Sequence, residues 1–270
     1  MSVTPARHPA RSGIAVTERR PLEAVIFDAG GTLVRLDFEW MSEWLATRGL
    51  DLPAAWLRRH EVEGRRRYDA SRGREPRPGS PPPPLGHSGD TRAYFGGMLE
   101  AAGVPGALRE RTLEAFDERQ SATGLWSRPM EGARTCIDGV GSLGLRTAVV
   151  SNSDGRAEQH LRDCGVREGL EFVVDSHVVG FEKPDPRILA IALERLGVAP
   201  ERALLVGDIR SVDEAVARSA GTFFVLVDPF GDYGAGGLAI RAMADLVPCI
   251  RAHFTVPQPE SSGRPGAGRA

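Results

Sequence analysis

The stretch Ala24-Val25-Ile26-Phe27-Asp28-Ala29-Gly30-Gly31-Thr32-Leu33 decides how the rest of the chain is read. Four apolar residues run into an aspartate, and two glycines, a threonine and a leucine come soon after. An unbroken apolar run is the pattern of a strand covered on both faces, as in the middle of a parallel sheet. Such a strand delivers its last residue to the carboxyl edge of the sheet, where open α/β folds place their ligands. Asp28 at that edge is a candidate nucleophile or metal ligand, and the glycines would let a ligand approach the backbone. A turn or helix-cap aspartate leaves the same local signature, so the decision falls to the segments around it.

Downstream of this stretch, residues 37–124 read as helices. Phe38, Trp40, Met41, Trp44 and Leu45 have helical spacing, as do the apolar residues from Leu52 to Tyr68, at 91–102 and at 107–120. Residues 72–90 interrupt them with four consecutive prolines at 81–84, a solvated, non-packing loop or, less simply, a proline-recognition ligand. From about residue 131 helix and strand alternate. Apolar strands end at Ser151-Asn152, at Gly207-Asp208 and at Asp228-Pro229, and the segment from Pro186 to Leu196 is a helix closed by Gly197. The expected architecture is α/β, a doubly wound parallel sheet formed by residues 21–36 and 125–254, with a helical module at 37–124 inserted into it. Residues 1–20 and 255–270, rich in Pro, Gly, Ser and Arg, are expected to be disordered tails.

Composition narrows the classes of function. The 270 residues carry a net charge of -2, which favours neither nucleic acid nor an anionic membrane as a partner. No apolar run approaches the ~20 residues of a membrane span, and residues 1–20 lack the apolar segment of a secretory signal. Three widely spaced cysteines fit neither a disulfide framework nor a zinc site, so a reduced, cytoplasmic protein is expected. Residues 58–77 contain eight arginines against four acids; they either face an anionic substrate or form a solvated helix face running into the loop. The six histidines show no paired spacing and receive no role.

Three apolar runs thus end in polar chemistry at one edge: Asp28, Ser151-Asn152 and Asp208. Between the last two lies Lys183, the single lysine of the chain, in Gly180-Phe181-Glu182-Lys183-Pro184-Asp185-Pro186. A compact ammonium held between a turn and two prolines suits a phosphate oxygen or a carboxylate.

In order, Asp28-Ala29-Gly30-Gly31-Thr32-Leu33, Val149-Val150-Ser151-Asn152, Lys183-Pro184-Asp185-Pro186 and Val206-Gly207-Asp208 with Asp213 resemble the four motifs of the haloacid dehalogenase-like (HAD) hydrolase superfamily. The helical module sits where its C1-capped members carry their cap. The resemblance spans residues 22 to about 230 and implies a magnesium-dependent hydrolase, most simply a phosphatase acting on a small phosphomonoester. Asp28 would be the nucleophile, forming an aspartyl-phosphate. Asp28, the Gly30 carbonyl and Asp208 would hold Mg2+. Ser151, Asn152 and Lys183 would hold the phosphate, and Asp213 would act through a metal-bound water or through Lys183. An acid in the first turn of a helix is the plainer account of Asp213.

One position departs from the pattern. Most phosphatases of this superfamily carry a second aspartate two residues after the nucleophile, as general acid and base, and here that position is Gly30. General acid–base help is worth about 100- to 10,000-fold. A slow or leaving-group-selective phosphatase, a different reaction of the superfamily, and a protein that binds phosphorylated ligands without turnover all remain compatible. A Schiff-base mechanism needs a lysine outside the third motif, and there is none. A 2-haloacid dehalogenase would dispense with the acids kept at Asp208 and Asp213. Asp37, Glu39 and Asp154 are candidate replacement acids, Asp154 being equally well explained as a helix N-cap.

Overall fold

The computed structural model describes residues 19–72, 90–234 and 236–257. The proline-rich segment 73–89 and most of both expected tails lie outside the described residues.

The chain opens with β1 (Arg20–Pro21), β2 (Ala24–Phe27) and β3 (Val34–Leu36), then forms α1 (Phe38–Ala46), α2 (Ala54–Arg72), α3 (Thr91–Ala101) and α4 (Gly106–Ala122). It returns through β4 (Trp126–Pro129), α5 (Ala133–Gly141), β5 (Arg146–Ser151), α6 (Ala157–Asp163), β6 (Phe172–Asp175), α7 (Ser176–Val179) and α8 (Pro186–Leu196). It closes with β7 (Ala203–Gly207), α9 (Ala215–Ala220), β8 (Phe223–Val227), β9 (Leu238–Ile240), α10 (Leu246–His253) and β10 (Phe254–Thr255). Arg20 and Thr255, assigned by composition to the tails, belong to a short parallel ladder between β1 and β10.

Six parallel strands form the central sheet in the order β6-β5-β2-β7-β8-β9. β2 alternates between two cores, as a strand buried on both faces must. Val25 and Phe27 pack with residues of α5 and α10, whereas Ala24 and Ile26 pack with residues of α8 and α9. The chain leaves β2 for one side of the sheet and later returns to the other at β7, so the strand order reverses at β2. That reversal marks the ligand crevice of doubly wound folds. Asp28 stands there, its N–H continuing the ladder to the Val206 carbonyl at 2.8 Å.

α1 to α4 build a third core around Phe38, Met41, Leu45, Met98, Leu99 and Phe116. The antiparallel pair β3 and β4 carries the chain into and out of these helices. Asp37 caps α1 by accepting from the Trp40 N–H at 3.1 Å, and it is enclosed by Arg119 and Arg128. α8 starts and stops where the sequence predicts, with Asp185 as N-cap, Pro186 in the first turn and left-handed Gly197 after it. Asp154 is not the N-cap of α6. Asp175 accepts the Gly155 and Ala157 N–H groups at 3.2 and 3.1 Å, and Asp154 instead pairs with Arg156 at 2.6 Å.

Candidate active site

Four segments meet beyond the carboxyl ends of β2, β5 and β7. Lys183, 1% exposed, donates to Asp28 Oδ1 at 2.5 Å and to Asp213 Oδ1 at 2.7 Å. The other oxygen of Asp213 accepts the backbone N–H groups of Asp208 and Ile209 at 3.1 and 3.0 Å, which ties the loop after β7 to the lysine. Carboxylate oxygens of Asp28, Asp208 and Asp213 lie within 4.8 Å of one another.

The Asn152 side chain is turned to Lys183. Its Oδ1 accepts from the Lys183 N–H at 2.7 Å, and its Nδ2 donates to the Lys183 carbonyl at 2.9 Å. Both ends of the amide are thus spent on positioning the lysine backbone. Gly31 has φ +74°, and a Cβ there would lie 2.1 Å from Asp208 Oδ2, so only glycine fits. At Gly30 a Cβ would come within 3.2 Å of Trp126 Cδ1 and Nε1; the indole stands over the position where the superfamily's second aspartate would project.

Asp208 has a partner that the sequence reading did not single out. Arg65 of α2, 3% exposed, places Nε 3.2 Å from Asp208 Oδ2, reaches Glu61 Oε2 at 3.3 Å and donates to the Val227 carbonyl at 3.1 Å. Tyr94 donates to the remaining Glu61 oxygen at 2.6 Å. The basic run is therefore not one solvated face. Arg59, Arg66 and Arg67 remain largely exposed, while Arg65 turns inward to buried carboxylates. No local feature distinguishes it from its neighbours: Arg67 stands in the same i+4 relation to Glu63 and stays at the surface.

Burial governs the titration of the site. It raises the Asp28 carboxyl to about 6, with Lys183 opposing the rise and Asp213 adding to it. Burial also raises Asp208 well above the ordinary carboxylate range, with Arg65 pulling against it. Burial works to lower the Lys183 ammonium, yet Asp213 and Asp28 outweigh it and hold the group above an ordinary lysine.

A cavity of about 480 Å³ opens from this cluster toward α1 to α4. Asp28, Ser151, Lys183, Asp208 and Asp213 line one end, Tyr94, Phe95 and Trp126 one wall, and Gln120, Asp154 and His160 another. Among the candidate replacement acids, Asp154 lines the cavity, but Arg156 depresses it against the effect of burial. Asp37 is committed to its arginines and its cap, and Glu39 is paired with Arg35. Trp56 of α2 is 47% exposed, its indole N–H donating to the Ala102 carbonyl.

Sheet order, a switch-point cavity and a buried cluster of carboxylates with a lysine define a doubly wound α/β protein with a charged site at its switch point. The chain belongs to the haloacid dehalogenase-like hydrolase family, whose model matches residues 22–221. It is 39% identical over 127 residues to the mouse haloacid dehalogenase-like hydrolase domain-containing protein 3, covering 47% of this chain and 50% of that one. Similarity to the N-acetylmuramic acid 6-phosphate phosphatase of Pseudomonas aeruginosa is 29% over 208 residues, 76% of this chain and 81% of that one. Similarity to the phosphoserine phosphatase of Thermus thermophilus is 33% over 138 residues, 51% of this chain and 53% of that one. The chain spans about half or less of the length of the curated relatives it matches first. The fold is shared with the magnesium-bound putative HAD-hydrolase YfnB of Bacillus subtilis, at a TM-score of 0.55 and 18% identity over 86% of this chain and 100% of that one. Among the described residues no helix is long and apolar enough to cross a membrane.

Proposed function

We propose that the chain is a magnesium-dependent phosphatase for small phosphomonoesters, with α1 to α4 acting as a cap over the reacting edge. One observation carries this reading: Asp28, at the end of the central strand, is held by Lys183 at the floor of a cavity large enough for a small ester. Phosphatases among the curated relatives support it, including one matched over most of its length.

The donor set fits a divalent cation. Among the described residues, Asp28, Asp208, Asp213 and Glu61 face two buried cations, Lys183 and Arg65, which leaves two negative charges when all four carboxylates are ionised. Asp28, Asp208 and the Gly30 carbonyl would hold Mg2+, hard oxygen donors for a hard ion. When bound, it would neutralise charge on the phosphoryl oxygens and keep both aspartates ionised. Asp28 is the nucleophile that takes the phosphoryl group as an aspartyl-phosphate, which water then hydrolyses. Lys183 and the Ser151 hydroxyl hold the phosphoryl oxygens, while Asn152 and Asp213 hold Lys183. Positioning and charge neutralisation make up most of phosphoryl-transfer catalysis.

Gly30 favours a second reading, binding of a phosphorylated ligand with little turnover, because no aspartate stands there to protonate the leaving oxygen. The two readings part in one experiment. Release of phosphate from an aryl phosphate in the presence of magnesium should vanish in Asp28→Asn; unchanged release in that variant overturns the nucleophile assignment. Binding of a tetrahedral phosphate mimic with no release from any ester would favour the second reading. Halide release from a 2-haloacid, indifferent to a chelator, would overturn both.

A further inference from the structure

Gly124, just past α4, has φ +85°, and a Cβ there would lie 2.5 Å from His160 Cε1 and 3.1 Å from its Nε2. The imidazole, carried on α6, therefore rests on the bare Cα of the glycine and is held in the cavity wall beside Gln120, Leu125 and Trp126. Its neighbours are satisfied within the fold. Gln120 accepts the Leu125 N–H at 2.9 Å, Asp154 pairs with Arg156, and Asp117 pairs with Arg92. Neither ring nitrogen of His160 finds a hydrogen-bond partner among the described residues.

His160 is half-buried, and a polar group without a protein partner that lines a substrate-sized cavity is available to a ligand. Burial, with Arg156 nearby, lowers the His160 imidazole below its ordinary range. A neutral imidazole donates from one nitrogen and accepts at the other, which matches the two-way hydrogen bonding of a hydroxyl. Asp154 is paired with Arg156, and Asp117 shares Arg92 with Glu110. The aromatic wall is continuous, with the Phe95 and Trp126 ring centroids 5.7 Å apart and Tyr94 and Trp126 6.4 Å apart. Such faces supply apolar area to the C–H face of a ring.

We propose that His160, seated by Gly124, is a specificity residue that hydrogen-bonds a hydroxyl of the leaving group, and that the substrates are phosphomonoesters of a hydroxylated ring, sugar phosphates in chemical class. The proposal rests on the phosphatase reading above.

Binding without turnover tests it. In the Asp28→Asn background, calorimetry would compare glucose 6-phosphate with phenyl phosphate, which lacks hydroxyls. His160→Phe keeps a ring against Gly124 and removes both nitrogens; the preference for glucose 6-phosphate should fall roughly 3- to 10-fold, the range of one neutral hydrogen bond. His160→Gln, which restores a donor and an acceptor, should recover part of it. A ratio unchanged by His160→Phe overturns the role of His160, and a preference for phenyl phosphate in the Asp28→Asn parent overturns the substrate class. Neither result touches the phosphatase reading. That reading fails instead if the chain with Asp28 intact releases phosphate from neither ester, and the binding ratio still decides the role of His160.

Discussion

Two buried cations divide the carboxylates of the site, and they come from opposite sides of it. Lys183 belongs to the α/β core and bridges Asp28 and Asp213 at 2.5 and 2.7 Å. Arg65 belongs to α2 and bridges Asp208 and Glu61 at 3.2 and 3.3 Å. The lysine is fixed locally, its backbone clamped by Asn152 at both ends. The arginine is fixed at long range, by the docking of α2 on the loops after β7 and β8. Asp69 accepts from the Ser211 N–H at 3.1 Å and from the Tyr233 hydroxyl, and Arg59 and Arg66 reach Asp232. One cation completes the core's own chemistry, and the other couples the helical segment to it.

The two should fail differently when removed. Taking one partner from a buried pair leaves an uncompensated charge and costs about 3–5 kcal/mol. Lys183→Met strips Asp28 and Asp213 together and should lie at the upper end, with phosphate release abolished. Arg65→Met should lie at the lower end, because Glu61 keeps the Tyr94 hydroxyl. A divalent cation beside Asp208 would replace the charge lost with Arg65. Magnesium should therefore raise the urea midpoint of Arg65→Met by more than it raises that of the unaltered chain. Equal losses with equal magnesium responses would break the comparison.

The same contrast explains what could be read from the sequence. β2, α8 and the ends of β5 and β7 were legible because the signals are local: unbroken apolar runs, an Asp-Pro start and a glycine stop. Lys183 was legible as the single lysine, set between a turn and two prolines. Arg65 was not, because eight arginines share its composition and only tertiary packing selects the one that turns inward. Asn152 was assigned to phosphate through the resemblance; its side-chain bonds to the Lys183 backbone depend on a loop 31 residues away. His160 showed no partner histidine or cysteine in sequence, and its place in the cavity depends on Gly124 rather than on spacing. Trp126 received no role from the sequence, because its contact with Gly30 joins segments separated by nearly a hundred residues.

Acid should sharpen the role assigned to Asp28. Its carboxyl rises from an ordinary 3.8 to about 6, chiefly through burial. The folded chain therefore keeps a proton that the unfolded chain releases. Stability from this group is fully present below pH ~4 and is lost as pH rises through about 6, a change on the order of 3 kcal/mol for a shift of about two units. Magnesium needs the ionised carboxylate. The magnesium-induced rise in melting temperature should be absent near pH 4, grow through pH 6 and level off above it. A rise of equal size at pH 4 and pH 8 would place the ion away from Asp28.

The smallest expected effect concerns the missing aspartate. Gly30 does not have the positive φ of Gly31, so its backbone accepts a side chain. What opposes one is Trp126, 3.2 Å from the position of a Cβ, a contact that a shift of a few tenths of an ångström would relieve. Gly30→Asp should cost about 1 kcal/mol, at the low end for overpacking. It should also supply a proton to the leaving oxygen, a gain of about 100- to 10,000-fold when the acid is well placed. With the indole crowding the new carboxyl, a gain of roughly tenfold on an alkyl phosphate is the expected result, and much less on an aryl phosphate, whose leaving group needs no proton. Trp126→Ala added to Gly30→Asp separates the two influences: it frees the carboxyl but removes the aromatic wall, so kcat should rise further while KM worsens. If neither variant gains on the alkyl ester, proton transfer to the leaving group is not what limits this site, and the restraint lies with the helical segment that Arg65 ties to Asp208.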